Sequence, residues 1–468
     1  MERFKGRGAV LSLKDLLPNG LDVTGPDRPL PLTFRVDSRA VEPGDGFAAF
    51  QGESTDGHLY IESALARGAS VVLAERGRVS EKLPAQWPQV TFIFGHRSET
   101  ALAELARAYL VRLPDLKHVA AVTGSVGKTT TRSFLARSMS ASQRTHAASG
   151  NYNTLIGCSV AVLSAPFDVQ CLVLEMGANH PGEIAQMVSF FPPTAAAITE
   201  VAPAHLEGFG SVQGVLREKA GIFGGGRLKD AVLNADNPLL AELASQINTP
   251  VTTFGRDGSL SFEDDRLEWD EGFKVSARLC YSGDRVPVSV RLSGKHGLYP
   301  LCCALALAVR MGVPFRQAVR EAVSFESLPG RGEVVRLQNG AFLIDESYNA
   351  SPKSMTAAIQ SLGEVQIRGR KFALLGSMGE LGAGASAAHQ QVMEVARGQG
   401  FDWWGAYGSD WQSGAKATDN LLTDWEEVRR AVAGLNLRSG DVLLVKGSHA
   451  CGLERLVKEL KGQEAGGR

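Results

Sequence analysis

Cysteine is scarce and scattered in this chain. Six occur among 468 residues (Cys158, Cys171, Cys280, Cys302, Cys303 and Cys451), with no C-x-x-C pair. That spacing excludes a disulfide framework and a cysteine zinc site. Long hydrophobic runs are missing too: the longest wholly apolar stretch, Leu301 to Val309, is far short of the ~20 residues that cross a bilayer. Neither sign of charge dominates, since 49 Lys and Arg against 50 Asp and Glu leave a net charge of −1. The electrostatic footprint of a nucleic-acid binder is therefore absent, and neither nucleic acid nor membrane is expected as a partner. Residues 1–20 carry charges every few positions around no apolar centre, which argues against a secretory signal and for the cytoplasm. There is no repeat of solenoid period and no low-complexity tract. The length suggests about three domains.

What is present is most informative at Ala121-Val-Thr-Gly-Ser-Val-Gly-Lys-Thr-Thr130. The apolar run Val119 to Val122 reads as a buried strand, and Thr129 to Ser140 carries helical patterning. Between them Gly124, Ser125, Val126 and Gly127 form a loop whose backbone N–H groups can approach phosphate oxygens at a helix N-terminus. Lys128 then reaches the β- and γ-phosphates and the Thr129 hydroxyl faces Mg²⁺, with Thr130 beside them. The position six before Lys128 is Val122 rather than the commoner glycine. A plain glycine turn before a helix is the bland alternative; strand, glycines and Lys-Thr together favour ATP.

Three stretches follow different grammars. Residues 1–113 form a first α/β unit, with strands expected at 33–37, 46–50 and 70–74 and a helix carrying Tyr60, Ile61, Ala64 and Leu65 on one face. Leu113-Pro114 is the joint. Residues 114–328 show short, continuous apolar runs (119–122, 171–174, 195–198, 231–233), the mark of a parallel sheet covered on both faces. Residues 260–292 alternate instead, as antiparallel strands at its edge. Residues 329–468 open on a hairpin around Asn339-Gly340, expected as a type I′ turn. Strands at 372–375 and 442–445 and helices near 386–398, 424–434 and 452–461 follow.

Ligands in such sheets gather beyond the carboxyl ends of the strands. Glu175 sits there after Cys171-Leu-Val-Leu174, where a P-loop enzyme needs a second magnesium-linked carboxylate; a solvated strand-end glutamate is the alternative. His205 follows the next strand, as a metal ligand or a structural histidine. Lys219, taken alone, reads as a helix-surface lysine. Asn234-Ala-Asp-Asn237 follows a strand and suits a nucleotide base, a metal or an Asx cap.

The ordered series of motifs resembles the Mur ligases, ATP-dependent amide-forming enzymes of peptidoglycan precursor synthesis. It runs through Asp37-Ser-Arg39, Gly52-Glu-Ser-Thr-Asp-Gly-His58, Gly150-Asn-Tyr-Asn-Thr154, Leu174-Glu-Met-Gly-Ala-Asn179 and Ala204-His-Leu-Glu-Gly-Phe-Gly210. Asp345-Glu-Ser-Tyr-Asn-Ala350, Met378-Gly-Glu-Leu-Gly382 and Val445-Lys-Gly-Ser448 complete it. The blocks are most similar to the branch that adds D-alanyl-D-alanine to UDP-N-acetylmuramoyl-tripeptide, and the Asp-Asn-Pro-Arg motif of the branch adding diaminopimelate or lysine is missing. The resemblance implies a three-domain α/β architecture: a UDP-substrate domain, a central P-loop domain with a mostly parallel sheet, and a Rossmann-like C-terminal ligase domain.

It also implies roles. Ser38 and Arg39 would contact the UDP moiety, and Asn151, Asn153 and Thr154 the muramoyl-peptide. Lys128, Thr129 and Glu175 would serve ATP and a first Mg²⁺, and His205 a second. Lys219 matches a lysine carried as a carbamate. Arg331 would touch phosphate, Asp345 the ribose side, and Asn349 and Ser351 the dipeptide. A monomer is expected. Three departures from the family pattern stand out: His296-Gly-Leu-Tyr-Pro300 lacks two usual asparagines, Gly221 replaces an acid, and His449 replaces an arginine. A ligase for folate, cyanophycin or another murein peptide, and a catalytically silent ATP-binding relative, are the rival readings.

Overall fold

The computed structural model describes residues 11–18, 20–30, 32–52, 55–148, 150–203, 206–325 and 327–462. Three sheets organise them. The first has five strands in the order Asp22–Thr24, Thr91–Gly95, Val71–Glu75, Gly46–Ala48 and Phe34–Arg35, parallel except for the first pair. The strand expected over 33–37 is cut to Phe34–Arg35 because the Asp37 carboxylate accepts the Arg39 N–H at 2.9 Å and turns the chain into a 3₁₀ winding. Tyr60 departs from expectation as well. It ends the 3₁₀ turn Gly57–Tyr60 and is 45% exposed, while Ile61, Ala64 and Leu65 of the helix Ile61–Ala66 are buried.

The central sheet has nine strands. Its middle places Asp230–Asn234, Ala195–Ile198, His118–Thr123 and Cys171–Glu175 side by side and parallel. Their side chains alternate between two cores. Ala121, Leu172, Leu174, Ala196 and Ile198 face one, and Ala120, Val122, Cys171, Val173 and Ala197 face the other. Burial on both sides is why these strands read as unbroken apolar runs. Two parallel strands escaped the sequence reading: Thr145–Ala147 on one flank, with every residue half-buried, and Val251–Phe254 on the other. Beyond the latter, Leu260–Trp269, Phe273–Tyr281 and Asp284–Arg291 form the expected antiparallel ribbon. The longest apolar run lies within the helix Leu298–Arg310, packed between the sheet and the helix Lys128–Met139. Among the described residues no helix is long and apolar enough to cross a membrane.

The first core continues into the N-terminal unit. The helix Ser98–Leu110 packs on the helix Leu155–Leu163, and the buried Tyr109 hydroxyl donates to the Ala165 carbonyl at 2.7 Å. The third sheet orders Glu333–Arg336, Phe342–Glu346, Val442–Lys446, Lys371–Gly376, Trp403–Tyr407 and Asn420–Leu422, with one antiparallel pair, the first. That pair is the hairpin expected at Asn339-Gly340, with a different turn. The Gly340 N–H donates to Leu337 O at 2.9 Å and only Gly340 has a positive φ (80°), so the connection is a type I turn closed by a glycine bulge rather than type I′.

Candidate active site

Where the strand His118–Thr123 ends, the chain closes into a loop that only glycine can form. Gly124 has φ +150°, and a Cβ there would sit 1.9 Å from Thr199 Oγ1. Thr199 is needed in place, because its hydroxyl donates to Val126 O at 2.6 Å. Ser125 is held by its N–H to Glu200 O at 2.8 Å and by its hydroxyl to Ala202 O at 3.0 Å. Gly127 (φ +86°) then starts the helix Lys128–Met139, leaving first-turn N–H groups directed at the loop. Lys128 folds back, donating from Nζ to Gly124 O at 2.7 Å. Burial holds its pKa below the ordinary lysine value; Glu175 opposes that shift, Arg331 adds to it and Glu380 opposes it. Arg331 and Glu380 belong to the third sheet's domain, so charges of both domains act on this lysine. Thr130 and Arg331 line one small cavity of about 30 Å³.

Glu175 is the last residue of its strand and only 1% exposed. Its Oε1 accepts from Thr129 Oγ1 at 3.0 Å and from Asn153 Nδ2 at 3.4 Å. Its Oε2 has no hydrogen-bond partner and lies 3.3 Å from Arg132 Nη1. A buried carboxylate beside the P-loop threonine, with one oxygen free of hydrogen bonds though ion-paired to Arg132, suits a hard divalent cation. Arg132 also donates to Gly150 O at 3.0 Å, tying the P-loop helix to the Gly150–Thr154 segment. Sequence reasoning missed Arg132, yet it stands one helical turn beyond Lys128 on the same face, which was a usable signal. In that segment Asn153 Nδ2 donates to Asn151 Oδ1 at 3.2 Å, and Thr154 caps the helix Leu155–Leu163 through the Gly157 N–H at 3.3 Å.

Lys219 overturns the surface reading. It is 1% exposed near the end of the helix Val212–Ala220. Burial first, and the Lys128 charge second, push its pKa down to about 7 against the pull of Glu218. Glu218 spends its own carboxylate on the Gly182 and Ile184 N–H groups, at 2.6 and 2.8 Å. His205 lies outside the described residues. A folded-state pKa below the unfolded value of 10.5 means that the unfolded chain binds more protons between those two limits. In the metal-free protein this residue's contribution therefore makes stability rise with pH from about 7 toward 10.5. Lys219→Met should flatten that rise, as denaturant melts of both proteins at pH 7 and pH 9 would reveal. Equal slopes would mean that Lys219 is ordinarily charged.

At the tip of the next strands, two amides converge on Glu200. Asn234 Nδ2 donates to Glu200 Oε2 at 3.3 Å and to Thr199 O at 3.4 Å, while its Oδ1 accepts from the Asp236 N–H at 3.1 Å. Asn237 donates to Glu200 Oε1 and Val201 O, and its Oδ1 caps the helix Pro238–Ala244. The Asx-cap reading of this turn is thus realised, and the hydrogen-bonding capacity of both amides is largely spent within the protein. Of the departures from the family pattern, Tyr299 donates to Asp236 Oδ2 at 2.7 Å, and a Cβ at Gly127 would stand 3.8 Å from Pro300 Cβ. A Cβ at Gly297 would come within 2.9 Å of Leu292 Cβ, so asparagine has no room there without movement of Leu292.

The C-terminal domain brings Arg331, Asp345, Asn349 and Ser351 to one end of its sheet. The Arg331 guanidinium lies 4.0 Å over the Tyr348 ring, which also stacks on His449 at 6.1 Å. Asp345 accepts from the Ser347 N–H and hydroxyl at 3.1 and 2.6 Å and from the Gly330 N–H at 3.1 Å, fixing the turn that carries Arg331. Lys446, a second residue the sequence reading gave no role, is 2% exposed and donates to Glu346 Oε2 at 2.9 Å and Asn349 O at 3.0 Å. Ser351 caps the helix Pro352–Glu364. Ser38 and Arg39 stand in the N-terminal domain. Ser38 is buried, and Arg39 is held by an exposed pair to Asp37 at 2.9 Å.

A glycine loop closed by Lys-Thr at the carboxyl end of a parallel sheet defines the class of P-loop α/β proteins. Within that class, residues 34–117 match the Mur ligase family catalytic domain, 122–308 the Mur ligase middle domain and 330–449 the Mur ligase glutamate ligase domain. The chain is 33% identical over 435 residues to the UDP-N-acetylmuramoyl-tripeptide–D-alanyl-D-alanine ligase of Escherichia coli, covering 91% of this chain and 93% of that one. The MurF ligase of Thermotoga maritima, solved in complex with ADP, superposes with a TM-score of 0.77 at 28% identity, over 92% of this chain and 98% of that one. MurF of Acinetobacter baumannii gives 0.80 at 25%, over 97% and 96%. The chain belongs to the Mur ligase family.

Proposed function

We propose that this protein joins D-alanyl-D-alanine to UDP-N-acetylmuramoyl-tripeptide at the expense of ATP, in peptidoglycan precursor synthesis. The observation that carries the reading is the placing of Arg331, from the C-terminal domain, against the P-loop helix, where it lines one cavity with Thr130, in a chain that matches a ligase of this specificity over 91% of its length. Residues 1–113 would hold the UDP moiety through Ser38 and Arg39, residues 114–328 the nucleotide, and residues 329–468 the dipeptide. The protein would act as a monomer in the cytoplasm.

The tripeptide carboxylate, arriving along Asn151, Asn153 and Thr154, attacks the γ-phosphate and forms an acyl phosphate and ADP. The loop from Gly124 to Gly127, with Thr130, cradles the phosphates. Lys128 leaves Gly124 O to follow the transferring phosphoryl group, and Arg331 meets it from the other domain. Asp345 steadies the Arg331 turn on the ribose side, and Asn234 supports the floor of the base pocket. The dipeptide amine, oriented by Asn349 and Ser351, then attacks the acyl carbon and phosphate leaves. Closure of the two domains keeps water from the acyl phosphate.

Thr129 and Glu175 would hold one Mg²⁺, and His205 with Lys219 a second. When bound, such ions supply positive charge beside the phosphoryl oxygens. With its pKa near 7, Lys219 keeps a substantial neutral fraction near physiological pH. That amine can add to CO₂ and release a proton, giving a carbamate anion. The test is mass detection of the amide product with each candidate acceptor. D-Ala-D-Ala should be joined to the tripeptide with one phosphate released per bond. Ligation confined to a single amino acid, or to a folate, would refute the assignment.

A further inference from the structure

Lys353 breaks a local rule. It sits in the first turn of the helix Pro352–Glu364, a turn with no acidic residue. The helix dipole favours an anion there and disfavours a cation. Its compensation comes from another domain: Lys353 Nζ donates to Glu200 Oε2 at 2.6 Å. The lysine side chain is 58% exposed and the glutamate 11% exposed.

Glu200 is well placed to transmit what it feels. Its carbonyl accepts the Ser125 N–H inside the P-loop, at 2.8 Å. Its carboxylate is held in orientation by the amides of Asn234 and Asn237. On the opposite side, Lys353 lies two residues beyond Ser351, which ends the Asn349–Ser351 segment and caps the same helix. One ion pair therefore joins the phosphate loop to the turn that faces the dipeptide.

We propose that Glu200 and Lys353 are positioning residues, forming a latch that holds the dipeptide-binding turn against the nucleotide domain while the activated acyl group awaits the amine. This rests on the ligase reading given above. Neither residue touches the reacting atoms; both act by keeping the two domains in register and water out. A lysine placed against its helix dipole gains stability only when Glu200 is opposite, so the pair favours the docked arrangement over a separated one.

The experiment uses the full-length enzyme and its three substrates. Lys353→Met should raise the KM for D-Ala-D-Ala about three- to tenfold, the range for a partly exposed, charge-assisted pair. It should also raise phosphate released per amide formed, because water then competes for the acyl phosphate. ADP affinity should stay within about twofold, since the P-loop itself is intact. Lys353→Arg should restore both values, and Glu200→Gln with Lys353→Met should be little worse than either alone. Native KM and native coupling in Lys353→Met would overturn the latch. Equal damage from Met and Arg would overturn it too, by showing a packing role. If the unmodified enzyme forms no amide with these substrates, the ligase reading falls first and takes the latch with it. Normal ligation with an indifferent variant removes the latch alone.

Discussion

Lys128→Ala should lower ligation by about a thousandfold or more, the cost of removing a pre-placed cation from a transferring phosphoryl group. The fold should survive and even gain. Burial and the nearby Arg331 already hold the Lys128 pKa below its ordinary value, so its charge is disfavoured where it stands. Removing that charge relieves Arg331 and also Lys219, whose own pKa is depressed by Lys128 after burial. A melting temperature equal to or above the native one, beside lost turnover, is the signature of a site that trades stability for chemistry. Turnover near the native rate in folded Lys128→Ala would remove Lys128 from the phosphoryl-transfer role. A collapsed fold would instead show that its hydrogen bond to Gly124 O outweighs the charge cost.

Burial decides what could be read in the sequence and what could not. The four central strands were legible because both faces are buried: alternate residues of Cys171–Glu175 enter different cores, and the run becomes uniformly apolar. Glu175 was legible as the polar residue ending such a run. The flanking strand Thr145–Ala147, half-buried and without an apolar run, gave no comparable signal. Asn339-Gly340 announced a hairpin, yet the dipeptide alone did not specify which pair occupied the central turn positions. The pair became the third and fourth turn residues, with Gly340 supplying the one left-handed conformation needed.

Side-chain burial was the harder problem. Lys219 lies in Leu216-Arg-Glu-Lys219, where helical spacing alone does not separate a solvated lysine from one enclosed by neighbouring elements. Its helix packs on the helix Glu183–Phe190 as well as on its immediate neighbours in sequence. The partners of Glu200, namely Asn234, Asn237 and Lys353, lie on three later segments. Motif resemblance pointed to Lys219 and passed over Glu200. Only the three-dimensional arrangement explains why either ionisable side chain is buried.

The second large effect is expected at Lys219 itself. Lys219→Ala should be nearly inactive, and small carboxylates such as formate or acetate should partly restore turnover. The reasoning starts from electrostatics. A lysine that is 1% exposed and close to the Lys128 charge is poorly suited to staying a cation. Beside bound Mg²⁺ a second cation would be worse still, whereas a carbamate brings an anion to the same place. The truncated side chain leaves space, and an added carboxylate can supply the missing charge without the covalent link. Alanine also removes the depressed amine, so the apo protein should not lose stability in proportion to its activity. Rescue should saturate with carboxylate concentration and fail with neutral amides of the same shape. In the native protein, mass measurement under gentle, CO₂-containing conditions should show one added CO₂ in the presence of nucleotide and Mg²⁺. Its absence there, with Lys219→Ala retaining full turnover, would return Lys219 to a packing role and leave the second cation to be held by other groups.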